Sequence, residues 1–161
     1  MSTNAVTITT EPGTPFVDIV REFDAPVEQL FVAHTDPELY SQWIGPRGYQ
    51  TTVDELEARA GGRYRFAQTD PSGDGPFAFR GVFHAVRANE FIIRTFEFEG
   101  WPDVVSLETY RFESLPGGRS RLSTHSVFPT IEARDAMVES GMERGVVEGY
   151  ERLEELVGVA A

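Results

Sequence analysis

The chain has 161 residues, 40% of them hydrophobic and 12% aromatic, and a formal net charge of −12. That size and apolar content close one core rather than two. Lys is absent, so Arg supplies every fixed side-chain cation, and the averaged field repels phosphate backbones and anionic lipid; neither nucleic acid nor a membrane is an expected partner. Without Cys there is no disulfide framework, thiolate nucleophile or cysteine metal site, which suits a cytoplasmic protein held together by packing.

Residues 1–15 are polar and rich in Thr and Pro, with neither a basic nor an apolar signal region, and read as a flexible leader. Residues 16–23 alternate Val17, Ile19 and Phe23 with Asp18 and Glu22 and stop at Asp24-Ala25-Pro26, which predicts a strand entering a helix with Pro26 at its first position. Val27, Leu30, Phe31 and His34 then recur at helical spacing. Asp36-Pro37 interrupts that helix and restarts it through Leu39, Tyr40 and Trp43.

Strand-like alternation follows in residues 49–58, 63–69, 77–87, 91–98, 104–112 and 121–128. Gly61-Gly62, residues 70–76, Ala88-Asn89-Glu90, Gly100-Trp101-Pro102-Asp103 and Pro116-Gly117-Gly118 supply the turns between them. The period changes over residues 131–157, where Ile131, Val138, Met142, Val146, Tyr150, Leu153 and Val157 form one stripe opposite Glu139, Glu143, Glu151, Glu154 and Glu155; this predicts a single long helix. The order contains no βαβ unit, so the class is α+β: a curved antiparallel sheet of about seven strands, two short helices and one long C-terminal helix. Residues 16–157 form the domain, and residues 158–161 a short tail.

Several short signatures in this order resemble the START-like (SRPBCC, Bet v 1-like) superfamily and its helix-grip fold. They are Arg21-Glu22-Phe23-Asp24-Ala25-Pro26, Thr35-Asp36-Pro37-Glu38 with Trp43, Ala60-Gly61-Gly62-Arg63-Tyr64, Gly81, Gly117-Gly118-Arg119-Ser120-Arg121-Leu122 and Gly141-Met142-Glu143-Arg144-Gly145. Within the superfamily the chain is most similar to bacterial homologues of the activator of heat-shock protein 90 ATPase. The family often carries Trp directly after the second Gly of the last motif; here Val146 takes that place and leaves more room.

The resemblance implies a groove between sheet and C-terminal helix that holds an apolar or aromatic small molecule. Its expected walls are Trp43, Tyr49, Phe66, Phe79, Phe83, Phe96, Phe98, Trp101, Tyr110, Met142, Gly145, Val146 and Tyr150, and its expected volume exceeds roughly 300 Å³. Gly141, Gly145 and Gly149, four apart, leave one helix edge bare for a ligand or for close packing. Arg80, His84, Arg94, Glu108, Tyr110, Arg111 and His125 are the strand polar groups that would orient a ligand where register turns them inward; for Arg80, Arg94 and Arg111 the surface is the first expectation.

Candidate acid–base residues are His125, Glu108 and Tyr110. They act together only if the last hairpin pairs Glu108 opposite His125, and a slip of one residue puts the two on opposite faces. Ser123 beside His125 lacks a nucleophile elbow, the three His lack ligand spacing, and the Gly-rich turns lack a phosphate-loop context, so no triad, metal or cofactor is expected. Binding of an apolar small molecule, as a carrier, sensor or storage protein, is the first expectation. An enzyme of the polyketide cyclase or dehydratase type, implied by the superfamily, is the second. A stress-response contact with the chaperone, implied by the family name alone, ranks last. A homodimer through an edge strand or the glycine edge stays open.

Overall fold

The computed structural model describes residues 4–159; the first residues of the expected leader, 1–3, and residues 160–161 of the expected tail lie outside the described residues. The elements run β1 (Thr7–Thr9), β2 (Phe16–Phe23), α1 (Val27–Thr35), α2 (Pro37–Trp43), β3 (Gln50–Leu56), β4 (Arg63–Thr69), β5 (Phe77–Arg87), β6 (Phe91–Phe98), β7 (Val105–Leu115), β8 (Arg119–Val127), α3 (Ile131–Glu139) and α4 (Met142–Val159). The strands form one eight-stranded sheet in the order β1-β2-β8-β7-β6-β5-β4-β3, and every neighbouring pair is antiparallel. This is an α+β helix-grip architecture.

Strand parity decides which side chains meet the helices. In β2, Val17, Ile19, Arg21 and Phe23 are buried and the residues between them are not. In β8, Ser120, Leu122, Thr124 and Ser126 are the inward set. Register shifts between Val53 and Glu55 and between Phe83 and Ala85 mark bulges that bend β3 and β5 and help to cup the sheet.

Helices α2 and α3 start where a side chain satisfies free amides. Asp36 accepts from the Glu38 and Leu39 amides at 2.9 and 3.1 Å, with Pro37 at the first position of α2. Thr130 accepts from the Ala133 amide at 3.0 Å to open α3. Pro26 is the residue before α1 rather than its first member.

Two further sequence expectations change. Part of the expected leader is an edge strand: Thr7, Ile8 and Thr9 pair with Val20, Ile19 and Asp18 of β2, because one alternating triplet suffices when a finished sheet offers it a free edge. The expected single helix over residues 131–157 is two. Gly141 takes φ +91, a left-handed conformation that follows the Ser140 cap and ends α3 at Glu139, and α4 then continues to Val159, past the expected boundary at Val157.

The core is full at one end and hollow at the other. Phe23, Leu30, Phe31, Phe112, Leu122, Leu153 and Val157 fill the full end, with Phe31 and Phe112 edge to face at 5.1 Å. A buried ion pair anchors α4 there: Arg21 Nη1 meets Glu154 Oε1 at 3.2 Å, and Glu154 also accepts from the Asp24 amide. Among the described residues no helix is long and apolar enough to cross a membrane.

Candidate functional site

The hollow end is a cavity of about 590 Å³ between the concave sheet, α2, the following loop, and the α3–α4 junction. Its wall on the sheet side is a run of rings. Phe66 stacks on Phe79 at 5.1 Å, and Phe79 stacks on Phe96 at 5.4 Å and tilts against Phe98 at 5.1 Å. Their order follows from register, since Phe66 pairs with Phe79 and Phe79 with Phe98. Of the expected wall residues, Trp43, Tyr49, Phe66, Phe79, Phe96, Phe98, Trp101, Tyr110, Met142, Gly145, Val146 and Tyr150 border the cavity.

Phe83 does not. It pairs with Arg94 and packs against Tyr64 at 5.3 Å, on the far side of the polar floor described below. Trp101 sits at the rim, 40% exposed. The turn that carries it is tied down by Glu97, whose carboxylate accepts from the Asp103 amide at 2.8 Å and from Arg80 at 3.1 Å; that amide and that guanidinium hold the Glu97 carboxyl below its usual range.

The roof is α4, clamped to the end of α2 and the loop after it. Arg152 donates to the Gln42 carbonyl at 2.6 Å, and the Arg47 amide donates to Glu148 at 2.9 Å. A Cβ at Gly149 would stand at ordinary contact distance, 3.4 Å from the Trp43 carbonyl oxygen, so this packing does not require glycine. Gly145 is looser, with Pro46 at 3.8 Å from the same hypothetical atom, and both glycines border the cavity. The bare helix edge therefore adds cavity space rather than a packing contact that only glycine allows.

The floor is polar, and its centre is Arg94, 5% exposed. Its Nε donates to Glu108 Oε1 at 3.0 Å, and its Nη2 donates to the Tyr110 hydroxyl at 2.8 Å and the Tyr40 hydroxyl at 3.4 Å. The Tyr110 hydroxyl in turn donates to Glu108 Oε1 at 3.0 Å. The guanidinium also lies over the Tyr64 ring at 4.3 Å and the Tyr110 ring at 4.9 Å. Burial works against the Arg94 charge, but the Tyr110, Tyr40 and Tyr64 oxygens and the Glu108 carboxylate outweigh it, so the group stays cationic. Burial also pushes the Tyr110 and Tyr40 hydroxyls upward, and both keep their protons at neutral pH.

Arg94 is the residue the sequence reading misplaces, at the surface. In β6 it shares parity with Ile92, Phe96 and Phe98, and that shared parity was the available signal for an inward guanidinium. Gln68, Ser106, Thr124, Ser126 and Met137 also border the cavity and were not anticipated. Arg80 and Arg111 do lie outward.

His125 leaves the candidate site. The last hairpin pairs Thr109 with His125 and Glu108 with Ser126, so Glu108 faces the cavity and His125 the convex face. There Nδ1 of His125 meets Asp18 Oδ1 at 2.6 Å, with both side chains nearly half exposed. Glu108 and Tyr110 do converge. Among the described residues no group of three or more His, Asp or Glu is placed to hold a metal ion.

The sequence model of one family, described as "Activator of Hsp90 ATPase homolog 1-like protein", matches residues 24–158. The chain belongs to this family. Solved structures of the same fold include a Mycobacterium smegmatis protein (25% identity, TM-score 0.85, covering 95% of this chain and 97% of that one). A Rhodobacter sphaeroides protein (26%, 0.86, 96% and 99%) and an Arthrobacter aurescens protein (26%, 0.85, 94% and 91%) are similar. No curated protein matches the chain.

In this member of the Activator of Hsp90 ATPase homolog 1-like family, the short signatures quoted above act as supports for the hollow core. A Cβ at Gly81 would stand 2.0 Å from the Thr95 carbonyl oxygen and 2.7 Å from the Tyr64 hydroxyl, so Gly81 lets Tyr64 cross β5 and donate to Thr95 at 2.5 Å. A Cβ at Gly62 would stand 1.9 Å from the Glu57 carbonyl oxygen, which explains the hairpin glycine.

Proposed function

We propose that the protein binds an apolar, aromatic small molecule in the cavity between sheet and α4. The observation that carries this reading is a volume of about 590 Å³, within the range of small-molecule sites, left unfilled although twelve Phe were available to fill it. Family membership supports a ligand-binding role or one like that of the polyketide cyclases.

Native mass spectrometry of protein purified from its own host, beside a denatured extract, tests the reading. The expected result is a bound small molecule released on denaturation, with occupancy falling at least about tenfold in Val146→Trp, whose indole fills part of the cavity. Protein that is uniformly empty and takes up no aromatic compound at millimolar concentration would overturn it.

The convergence of Glu108 and Tyr110 favours a second reading, an acid–base enzyme of the cyclase type. In that reading Glu108 is the group that takes a proton, because Tyr110 holds its own. Glu108→Gln then abolishes turnover of a polyketide-like substrate while leaving its binding within a few-fold.

A further inference from the structure

The floor of the cavity is only partly satisfied by the protein. Arg94 uses Nε and Nη2, and Glu108 uses Oε1; among the described residues Arg94 Nη1 and Glu108 Oε2 have no protein partner. The hydroxyls of Thr124 and Ser126 also make no side-chain hydrogen bond, although these residues are 7% and 8% exposed and border the same space. None of these four atoms is among the sealed, unpartnered polar atoms of the structure, so each keeps some accessible surface, and all four residues border the cavity. A buried cation with an open N–H therefore stands beside a carboxylate with an open oxygen.

We infer that the ligand is a neutral aromatic molecule whose inner end carries a hydrogen-bond acceptor and a donor side by side, as in a carboxamide or an enolised or hydroxylated carbonyl. This rests on the binding role proposed above and adds the polarity and orientation of the ligand.

Charge balance is the first reason. Arg94 and Glu108 cancel one another at 3.0 Å, so an anionic ligand would face Glu108 and a cationic one Arg94, each without a net countercharge in a low-dielectric space. The overall charge of −12 further opposes an anion. Valence is the second reason. A carbonyl oxygen accepts from Arg94 Nη1, an adjacent N–H or O–H donates to Glu108 Oε2, and the two hydroxyls on β8 serve either role. Wall chemistry is the third. Phe66, Phe79, Phe96 and Phe98 offer ring surfaces but no polar atom, so the rest of the ligand is flat and apolar.

Four trigonal probes of equal shape separate the alternatives: 2-naphthamide, 2-acetylnaphthalene, 2-isopropenylnaphthalene and 2-naphthoate, titrated calorimetrically at pH 7 into the intact protein. The expected order is amide, ketone, alkene, carboxylate, with the amide about tenfold tighter than the alkene. Glu108→Gln replaces the open acceptor with a donor, so the amide falls to the level of the ketone and the carboxylate gains. Thr124→Val keeps the charge pair and narrows the advantage of the amide.

Equal affinity for amide and alkene overturns the inference while the cavity reading stands. Tightest binding of the carboxylate overturns it in favour of an anion site. If none of the four probes binds, this inference fails, and the cavity reading falls with it only where native mass spectrometry also finds the protein empty.

Discussion

His34 shows how one buried side chain couples this fold to pH. Its Nδ1 donates to the Leu30 carbonyl at 2.8 Å, which leaves Nε2 as a bare acceptor, sealed and without a partner, among Trp43, Tyr110 and Phe112. Burial, aided by the Arg94 charge and opposed by the Leu30 bond, lowers its pKa to about 4. The unfolded chain takes up a proton near pH 6.5 that the native ring refuses. Stability is therefore independent of this group above about pH 6.5 and is lost as pH falls toward 4, by on the order of 3 kcal/mol in all. Carboxylates titrate in the same window, so the informative quantity is the difference from His34→Phe. In urea unfolding between pH 4.5 and 6.5 the wild type is expected to lose stability more steeply, by up to about 1.4 kcal/mol per pH unit. Parallel slopes would show that the ring is not held neutral. At Gly81, Ala would collide with the Thr95 carbonyl and Tyr64, and a loss above about 2 kcal/mol is expected in the same assay.

Among the elements, α3 and α4 give the sharpest contrast, because two glycines four residues apart do opposite work. Gly141 has φ +91 and open space around it, so Gly141→Ala meets backbone strain alone and is expected to cost about 1 kcal/mol. Gly145 lies inside α4 with ordinary space for a methyl group, so Gly145→Ala is expected to add up to about 1 kcal/mol of stability through helix propensity. Thermal unfolding of the two variants should move in opposite directions; a shift of both the same way would refute this division of the motif. Their spacing is visible in the sequence, but a positive φ is not, which is why one helix was expected where two occur. The same distinction explains His125. Its strand and its parity were legible, whereas the pairing of Thr109 with His125 depends on how the chain turns between Leu115 and Arg119. Local alternation does not encode that register. Arg94 was legible by parity and was misplaced by composition, since a guanidinium is buried only where other strands bring Glu108, Tyr110 and Tyr40 to meet it.

At the scale of the molecule the core is divided between a packed end, where Arg21 and Glu154 fasten α4, and a hollow end under Gly145 and Gly149. The order of strands and helices, the aromatic excess and the family motifs were enough to expect a space beneath the last helix. Glu108 and Tyr110 were legible as polar candidates, but their meeting with Arg94 and Tyr40 was not, because these residues lie on α2, β6 and β7 and come together only after long-range pairing. A ligand that binds only the native chain must raise its stability by linkage: 2-naphthamide at a hundred times its dissociation constant is expected to add about 2.7 kcal/mol. Differential scanning calorimetry checks this, and Val146→Trp should remove most of the gain.

The glycine edge of α4 also decides where the cavity can give. Peptide groups form that part of the roof, and their positions are set by helix geometry, which no side-chain rotation can adjust. Compliance is left to the thioethers of Met137 and Met142 at the α3–α4 junction, unbranched chains that remodel at small energetic cost. Tolerance for longer or bulkier guests is thus concentrated at that one corner, while the neighbouring stretch of roof is sized by a rigid backbone.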